Sequence, residues 1–116
     1  MTPTNTKHIT EISEDNQVIT LVNVFTVEPQ NQYRLISTLE KATEEVMRYL
    51  AGFVSANIHR SLDGVRVVNY AQWKSKEDFE NILQNSEARK HMNEALSVSS
   101  LEPHLYQVVS VYTPKL

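Results

Sequence analysis

The stretch FVSANIHRSLDGVRVVNYAQW, residues 53–73, contains two segments rich in β-branched and aromatic residues, separated by Leu-Asp-Gly. The Asp-Gly pair is the strongest hairpin signal in the chain, because both residues tolerate a positive φ. The stretch therefore predicts two antiparallel strands. A two-residue loop would place Asn69 beside Ile58, whereas a three-residue loop would place it beside Asn57 and His59, and both registers stay open.

Asn69 and Trp73, the only tryptophan, fall on one face of the second strand, together with Val67 and Ala71. A buried amide without a partner costs about 1–3 kcal/mol, so Asn69 must bond to protein, water or ligand. In one interpretation the two residues line an apolar small-molecule pocket with a few directed polar groups. In the other, Trp73 fills the core and Asn69 bonds a neighbouring backbone group.

The flanking segments complete a recognisable order of elements. Residues Gln17–Val27 predict a strand that is apolar on both faces, and Asn31–Leu50 show the three-and-four spacing of a helix. Residues 74–96 predict a helix in two pieces, and His104–Pro114 a last strand. The order β-α-β-β-α-β predicts an α+β, ferredoxin-like fold, with a four-stranded antiparallel sheet and the helices on one face.

Helices on one face leave the other apolar face of the sheet uncovered. A second copy of the same sheet is the simplest cover, which predicts a symmetric homodimer. Residues 17–116 are predicted to form a single domain. Residues 1–16 are polar and predict a flexible N-terminal arm, with docking on a partner subunit as the alternative.

Composition excludes several kinds of chemistry. The chain of 116 residues has no cysteine and only two glycines, so thiol chemistry and a glycine-rich phosphate loop are excluded. No metal-binding spacing stands out. The net charge of −3 argues against nucleic acid or a membrane surface as partner. Without a signal peptide or an apolar span, the expected location is the cytoplasm.

The stretch GFVSANIHRSLDGVRVVNYAQWKSKEDFE, residues 52–80, resembles the antibiotic biosynthesis monooxygenase family, and most closely its quinone-forming members. The pattern extends from Val18 to Pro114. The resemblance implies a homodimeric, ferredoxin-like α/β barrel that oxidises an aromatic polyketide or quinol-like molecule with O₂. It also implies that no flavin, haem or metal takes part, because the substrate anion itself gives an electron to O₂.

The resemblance also implies the site residues. Asn69 and Trp73 match the family's asparagine and tryptophan and are the expected catalytic pair. Residues expected to contact substrate are Asn23, His59, Phe79, His91 and Asn93.

Two positions depart from the family pattern. Phe79 stands where the quinone-forming members have a tyrosine, and Asn93 where they have an arginine. A non-catalytic dimeric ligand-binding or stress-related protein is therefore the alternative. A haem-degrading enzyme of the same superfamily is a second alternative. The resemblance places Asn23 and His91 at positions of an asparagine and a histidine that those enzymes use, but Ile82 stands where they have a tryptophan.

Overall fold

The computed structural model describes residues 8–15 and 17–116. It contains a four-stranded antiparallel sheet in the order β2-β3-β1-β4. The strands are β1 (Ile19–Val27), β2 (Phe53–Arg60), β3 (Arg66–Trp73) and β4 (Ser99–Tyr106). The helices are α1 (Gln32–Glu45), α2 (Lys76–Glu80) and α3 (Ser86–Leu96). This order confirms the predicted α+β, ferredoxin-like fold. No helix among the described residues has the length and apolar character needed to cross a membrane.

The last strand lies earlier in the chain than the sequence pattern predicts. It spans Ser99–Tyr106, so the predicted range His104–Pro114 is wrong. Tyr106 lies opposite Thr20, and β1 begins only one residue before Thr20. The β-branched segment after Tyr106 therefore has no partner strand among the described residues, and residues 107–116 are not part of the sheet.

The first helix is shorter than predicted. It ends at Glu45 instead of Leu50, because Val46 leaves helical geometry with φ −129°. A 3₁₀ turn at Met47–Tyr49 follows, and Gly52 turns the chain into β2 with φ +84°. This irregular connection lies at one end of the sheet, next to the start of β2.

Capping side chains start the two later helices. The hydroxyl of Ser75 accepts the Asp78 N–H at 3.0 Å, so Ser75 is the N-cap of α2. The N-cap of α3 is Asn85, whose side chain accepts the Ala88 N–H at 2.9 Å. Asparagine is among the strongest N-cap residues, so this helix also starts with a satisfied donor.

The β2–β3 hairpin adopts the first of the two open registers. Ile58 lies opposite Asn69, and the Gly64 N–H closes the turn on the Ser61 carbonyl at 3.2 Å. Only Gly64 has a positive φ in this turn. The Ser61 hydroxyl and then the Val65 N–H lower the pKa of the Asp63 carboxyl below its usual value, which keeps this turn carboxylate ionised.

The face of the sheet away from the helices is partly covered by its own chain. The Thr10 hydroxyl donates to Asn57 Oδ1 at 2.8 Å, and Gln72 Nε2 donates to the Glu11 carbonyl at 2.8 Å. These bonds hold residues 10–11 against β2 and β3. Residues 1–7 and 16 of the predicted arm lie outside the described residues.

Candidate functional site

Two asparagines interrupt the core on the helix-covered face of the sheet. Asn23 on β1 lies directly opposite Asn69 on β3. The buried residues on one side of this pair are Phe25, Val27, Leu35, Leu39, Val67 and Ala95. Those on the other side are Leu21, Ala71 and Trp73. The asparagine pair therefore divides the hydrophobic core into two clusters.

A cavity opens at this division. It encloses about 50 Å³, and Asn23, Asn69 and Trp73 all lie on its wall. The carbonyl oxygens of both asparagines and the indole N–H of Trp73 are buried and have no hydrogen-bond partner among the residues that the structure describes. The sheet thus presents two acceptors and one donor at an otherwise apolar cavity.

Unpaired buried polar atoms are costly, at about 1–3 kcal/mol each. Native proteins leave few of them, and those that persist need an explanation. Three around one small cavity are most simply explained by a ligand whose polar atoms complete the hydrogen bonds. This geometry favours the pocket interpretation of Asn69 over a bond to a neighbouring backbone group.

A β-bulge at Val54 helps to position Trp73. Phe53 lies opposite Trp73, whereas Ser55 lies opposite Gln72, so Val54 is the extra residue. The bulge brings Phe53 to the helix-covered face, where its ring packs edge-on against the Trp73 indole with centroids 5.5 Å apart. Trp73 is only 2% exposed, so the indole is held rigidly on the cavity wall.

The helices supply the opposite wall. From α1 come Leu39 and Thr43, from the following 3₁₀ turn Met47, and from α3 His91 and Met92. The sequence pattern marks both methionines as core-facing residues of helices, and it does not distinguish them from other core residues. Only the packing of helices on the sheet reveals them as part of the cavity wall.

The structure brings some of the expected site residues together and not others. Asn23, Asn69, Trp73 and His91 share the cavity wall, as does Ile82, the position of a tryptophan in haem-degrading relatives.

Three expected contacts lie away from the wall. His59 is opposite Val68, which puts it on the other face of the sheet, where it is exposed. Asn93 is an exposed residue of α3. Phe79 packs behind the wall, in the cluster that contains Trp73. Among residues 8–15 and 17–116, no three histidine or carboxylate side chains group closely enough to hold a metal ion.

Comparison with known proteins finds a matching family and a relative of similar sequence. The family model "Antibiotic biosynthesis monooxygenase" matches residues 18–94. The chain is 42% identical over 97 residues to the tetracenomycin-F1 monooxygenase of Streptomyces glaucescens, covering 84% of this chain and 87% of that protein.

Two solved structures have a similar fold. The ActVA-Orf6 monooxygenase of Streptomyces coelicolor, in complex with the ligand nanaomycin D, matches with a TM-score of 0.75 and 26% identity, over 84% of this chain and 92% of that one. SnoaB, a cofactor-independent oxygenase from Streptomyces nogalater, matches with a TM-score of 0.66 and 23% identity, over 83% of this chain and 97% of that one. The match of the family model over most of the chain shows that this protein belongs to the antibiotic biosynthesis monooxygenase family.

Proposed function

We propose that the protein is a monooxygenase that uses O₂ to convert a polycyclic aromatic polyketide, a phenol or quinol of the tetracenomycin F1 kind, into a quinone. The observation that carries the proposal is the group of unpaired polar atoms from Asn23, Asn69 and Trp73 around an apolar cavity. A flat apolar molecule with hydroxyl and carbonyl oxygens would fill such a site. The 42% identity to a tetracenomycin-F1 monooxygenase supports this class of substrate.

The proposed reaction needs no flavin, haem or metal. A base takes the proton of the substrate hydroxyl, and the resulting phenolate gives one electron to O₂. The phenoxyl radical and superoxide then combine, which forms a C–O bond at a ring carbon that bears hydrogen. After the peroxide takes up a proton, loss of the ring C–H proton breaks the O–O bond. The products are a quinone carbonyl and hydroxide, which takes up that proton to become water.

The site residues would act on charge and orientation. The Trp73 N–H is a donor only, so it would bond to the phenolate oxygen or the peroxide and stabilise their negative charge. The Asn69 amide N–H would donate to the oxygen on which negative charge develops as well, and the Asn23 amide would bond to the other oxygens of the ring system. The apolar walls would keep water from the radical pair, which strengthens these polar interactions.

Substrate binding requires the wall to move. A cavity of about 50 Å³ is far smaller than the several hundred Å³ of typical small-molecule sites. Met47 and Met92 lie on the wall, and methionine adapts its shape more readily than branched side chains. We expect these two side chains to swing outward when a polycyclic ring system enters.

A second copy of the chain is the proposed partner. The Thr20 hydroxyl is buried on the outer face of the sheet, and no residue in the described part of the chain is its hydrogen-bond partner. In the segment after β4, Val109 and Tyr112 are 84% and 88% exposed. A homodimer formed through this face would cover the apolar residues and give Thr20 a partner. The location of the protein in the cytoplasm stays a prediction.

Oxygen-dependent turnover tests the proposal. Purified protein is mixed with tetracenomycin F1 or an anthrone, with and without air, and quinone absorbance and O₂ uptake are followed. We expect quinone formation only with both protein and O₂, and one oxygen atom from labelled O₂ in the product. A rate equal to that of the substrate alone in air would contradict the proposal and favour a non-catalytic binding protein.

The kcat/KM of Asn69 and Trp73 variants, compared with that of an Asn93 variant, tests where the reaction takes place. Asn69→Ala is expected to lower kcat/KM about 100-fold, because removing one hydrogen bond to a developing charge has an effect of this size. Trp73→Phe keeps the ring but removes the N–H, and a similar loss is expected. Asn93→Ala is the control, since Asn93 is exposed and lies off the cavity wall. A larger loss in Asn93→Ala than in Asn69→Ala would place the chemistry elsewhere.

A further inference from the structure

His91 lies on the side of α3 that packs against the sheet. The helix presents Ala88, His91, Met92 and Ala95 at spacings of three and four, which is one stripe of a helix. Ala88 and Ala95 are fully buried, and His91 and Met92 between them are half-buried. The partial exposure of the imidazole gives a proton a route to solvent.

The other polar groups of the cavity wall cannot accept a proton. Amides and an indole are not bases near neutral pH. The Thr43 hydroxyl already donates to the Leu39 carbonyl at 2.8 Å. Among the described residues that line the cavity, His91 is the one with a titratable side chain.

We propose that His91 is the catalytic base that takes the hydroxyl proton of the substrate. The inference rests on the proposed function, whose first step requires such a base. The imidazole accepts the O–H proton as the phenolate forms, and the imidazolium returns it to the peroxide. The neutral imidazole then takes the ring C–H proton as the O–O bond breaks, and passes it to the departing hydroxide.

Charged groups around His91 lie off the cavity wall. Apart from His91, the charged residues and histidines of α3, of α1 with the 3₁₀ turn after it, and of β4 are all exposed: Arg34, Glu40, Lys41, Glu44, Glu45, Arg48, Glu87, Arg89, Lys90, Glu94, Glu102 and His104. Glu87 pairs with Lys90 at 3.8 Å. The charges of these exposed groups are screened by solvent, so we expect them to contribute little to proton transfer at His91.

Activity of matched histidine variants tests the role. His91→Gln keeps a polar side chain but cannot take a proton, and we expect kcat/KM at pH 7 to fall at least about 100-fold. The loss should shrink as the pH approaches the pKa of a phenol, about 10, and added imidazole should restore part of the rate. His59→Gln is the control, because His59 is exposed on the opposite face of the sheet.

A dye that ionises visibly tests proton transfer without turnover. A hydroxyanthraquinone changes colour when its phenol loses a proton, and it cannot be oxidised in the same way. We expect wild-type protein to raise the phenolate fraction of the bound dye, and His91→Gln to abolish that rise without weakening binding more than about threefold. If His91→Gln does not fold, as judged by thermal unfolding, His91→Asn replaces it in both experiments.

The outcomes separate the two proposals. A dye shift that depends on His91, with no quinone formed by the wild type, would sink the monooxygenase proposal and keep His91 as a proton acceptor. Quinone formation with an unimpaired His91→Gln variant would overturn the role of His91 alone. If neither high pH nor imidazole restores the kcat/KM lost in His91→Gln, His91 is a positioning residue and not the base. Failure of the dye to bind the wild-type protein would also overturn the proposal.

Discussion

Within residues 8–15 and 17–116, the buried carbonyl oxygen of Asn69 has no hydrogen-bond partner, whereas both polar atoms of the Gln72 amide, three residues further along β3, have one. The Ser55 hydroxyl donates to Gln72 Oε1 at 2.7 Å, and Gln72 Nε2 donates to the Glu11 carbonyl. One strand thus carries a satisfied amide on its outer face and an unsatisfied one on its inner face. At the scale of single residues, the satisfied amide of Gln72 indicates a structural role, and the unsatisfied amide of Asn69 indicates a functional one.

Stability measurements on the two amides should move in opposite directions. Asn69→Leu removes an unsatisfied group from an apolar cavity, so we expect the free energy of unfolding to rise by about 1 kcal/mol, or Tm by roughly 4 °C in a chain of this size. Gln72→Leu strands the Ser55 hydroxyl and the Glu11 carbonyl and should cost about 1–3 kcal/mol. Thermal and urea unfolding measure both.

The Asn69→Leu variant should at the same time lose its oxygenase activity. Gain of stability with loss of activity is the expected signature of a functional polar group in an apolar site. A destabilised Asn69→Leu variant would instead indicate that the amide has a structural partner.

At the scale of elements, the junction of β2, β3 and α2 sets the position of Trp73. The Lys74 N–H donates to the Gly52 carbonyl at 2.8 Å, which ties the end of β3 to the start of β2. Gly52 has φ +84°, and a Cβ added there would overlap the Asp78 side chain. The close approach of Gly52 to α2 therefore holds the end of the strand that carries the indole.

Two glycines with the same φ provide a matched test of this junction. Gly64→Ala in the hairpin turn has open space, with only Pro29 Cβ at 3.6 Å, so we expect a loss of about 1–2 kcal/mol from the left-handed backbone alone. Gly52→Ala adds the overlap with Asp78 and should cost about 1–3 kcal/mol more. Equal losses in urea unfolding would show that the Gly52–Asp78 approach is not tight.

At the scale of the whole molecule, the outer face of the sheet is incompletely covered. Val22, Val24, Val68 and Tyr70 are half-buried there, and Val22 and Tyr70 line a groove against residues 107–110. A stable interface buries roughly 1,200–2,000 Å² in total, and the proposed homodimer would place this face and the segment after β4 in such an interface.

Mass measurements in solution test the proposed homodimer. We expect light scattering to give twice the 13.3 kDa of one chain, and Val22→Glu to give one chain, because a carboxylate buried at the interface is strongly unfavourable. Leu62→Glu is the control, since Leu62 is fully exposed at the hairpin turn. A monomeric wild type at micromolar concentration would contradict the dimer.

Most of the fold could be predicted from local patterns in the sequence. Alternation, helical spacing and the Asp-Gly turn depend on neighbours within a few residues, so the order of elements and the shared face of Asn69 and Trp73 could be predicted. The range of β4 could not be predicted in this way, because a strand extends only as far as the partner strand to which it is hydrogen-bonded. His59 and Asn93 could not be separated from His91 either, since all three are polar residues of regular elements.

What the sequence by itself determined is the succession of strands and helices and the asparagine and tryptophan on β3. Only the tertiary structure decided that Asn23 faces Asn69, that the bulge at Val54 turns Phe53 onto the indole, and that His91 reaches the same cavity. Those relations join residues far apart in the chain. They depend on strand register and on how helices pack on the sheet, and no local pattern encodes either.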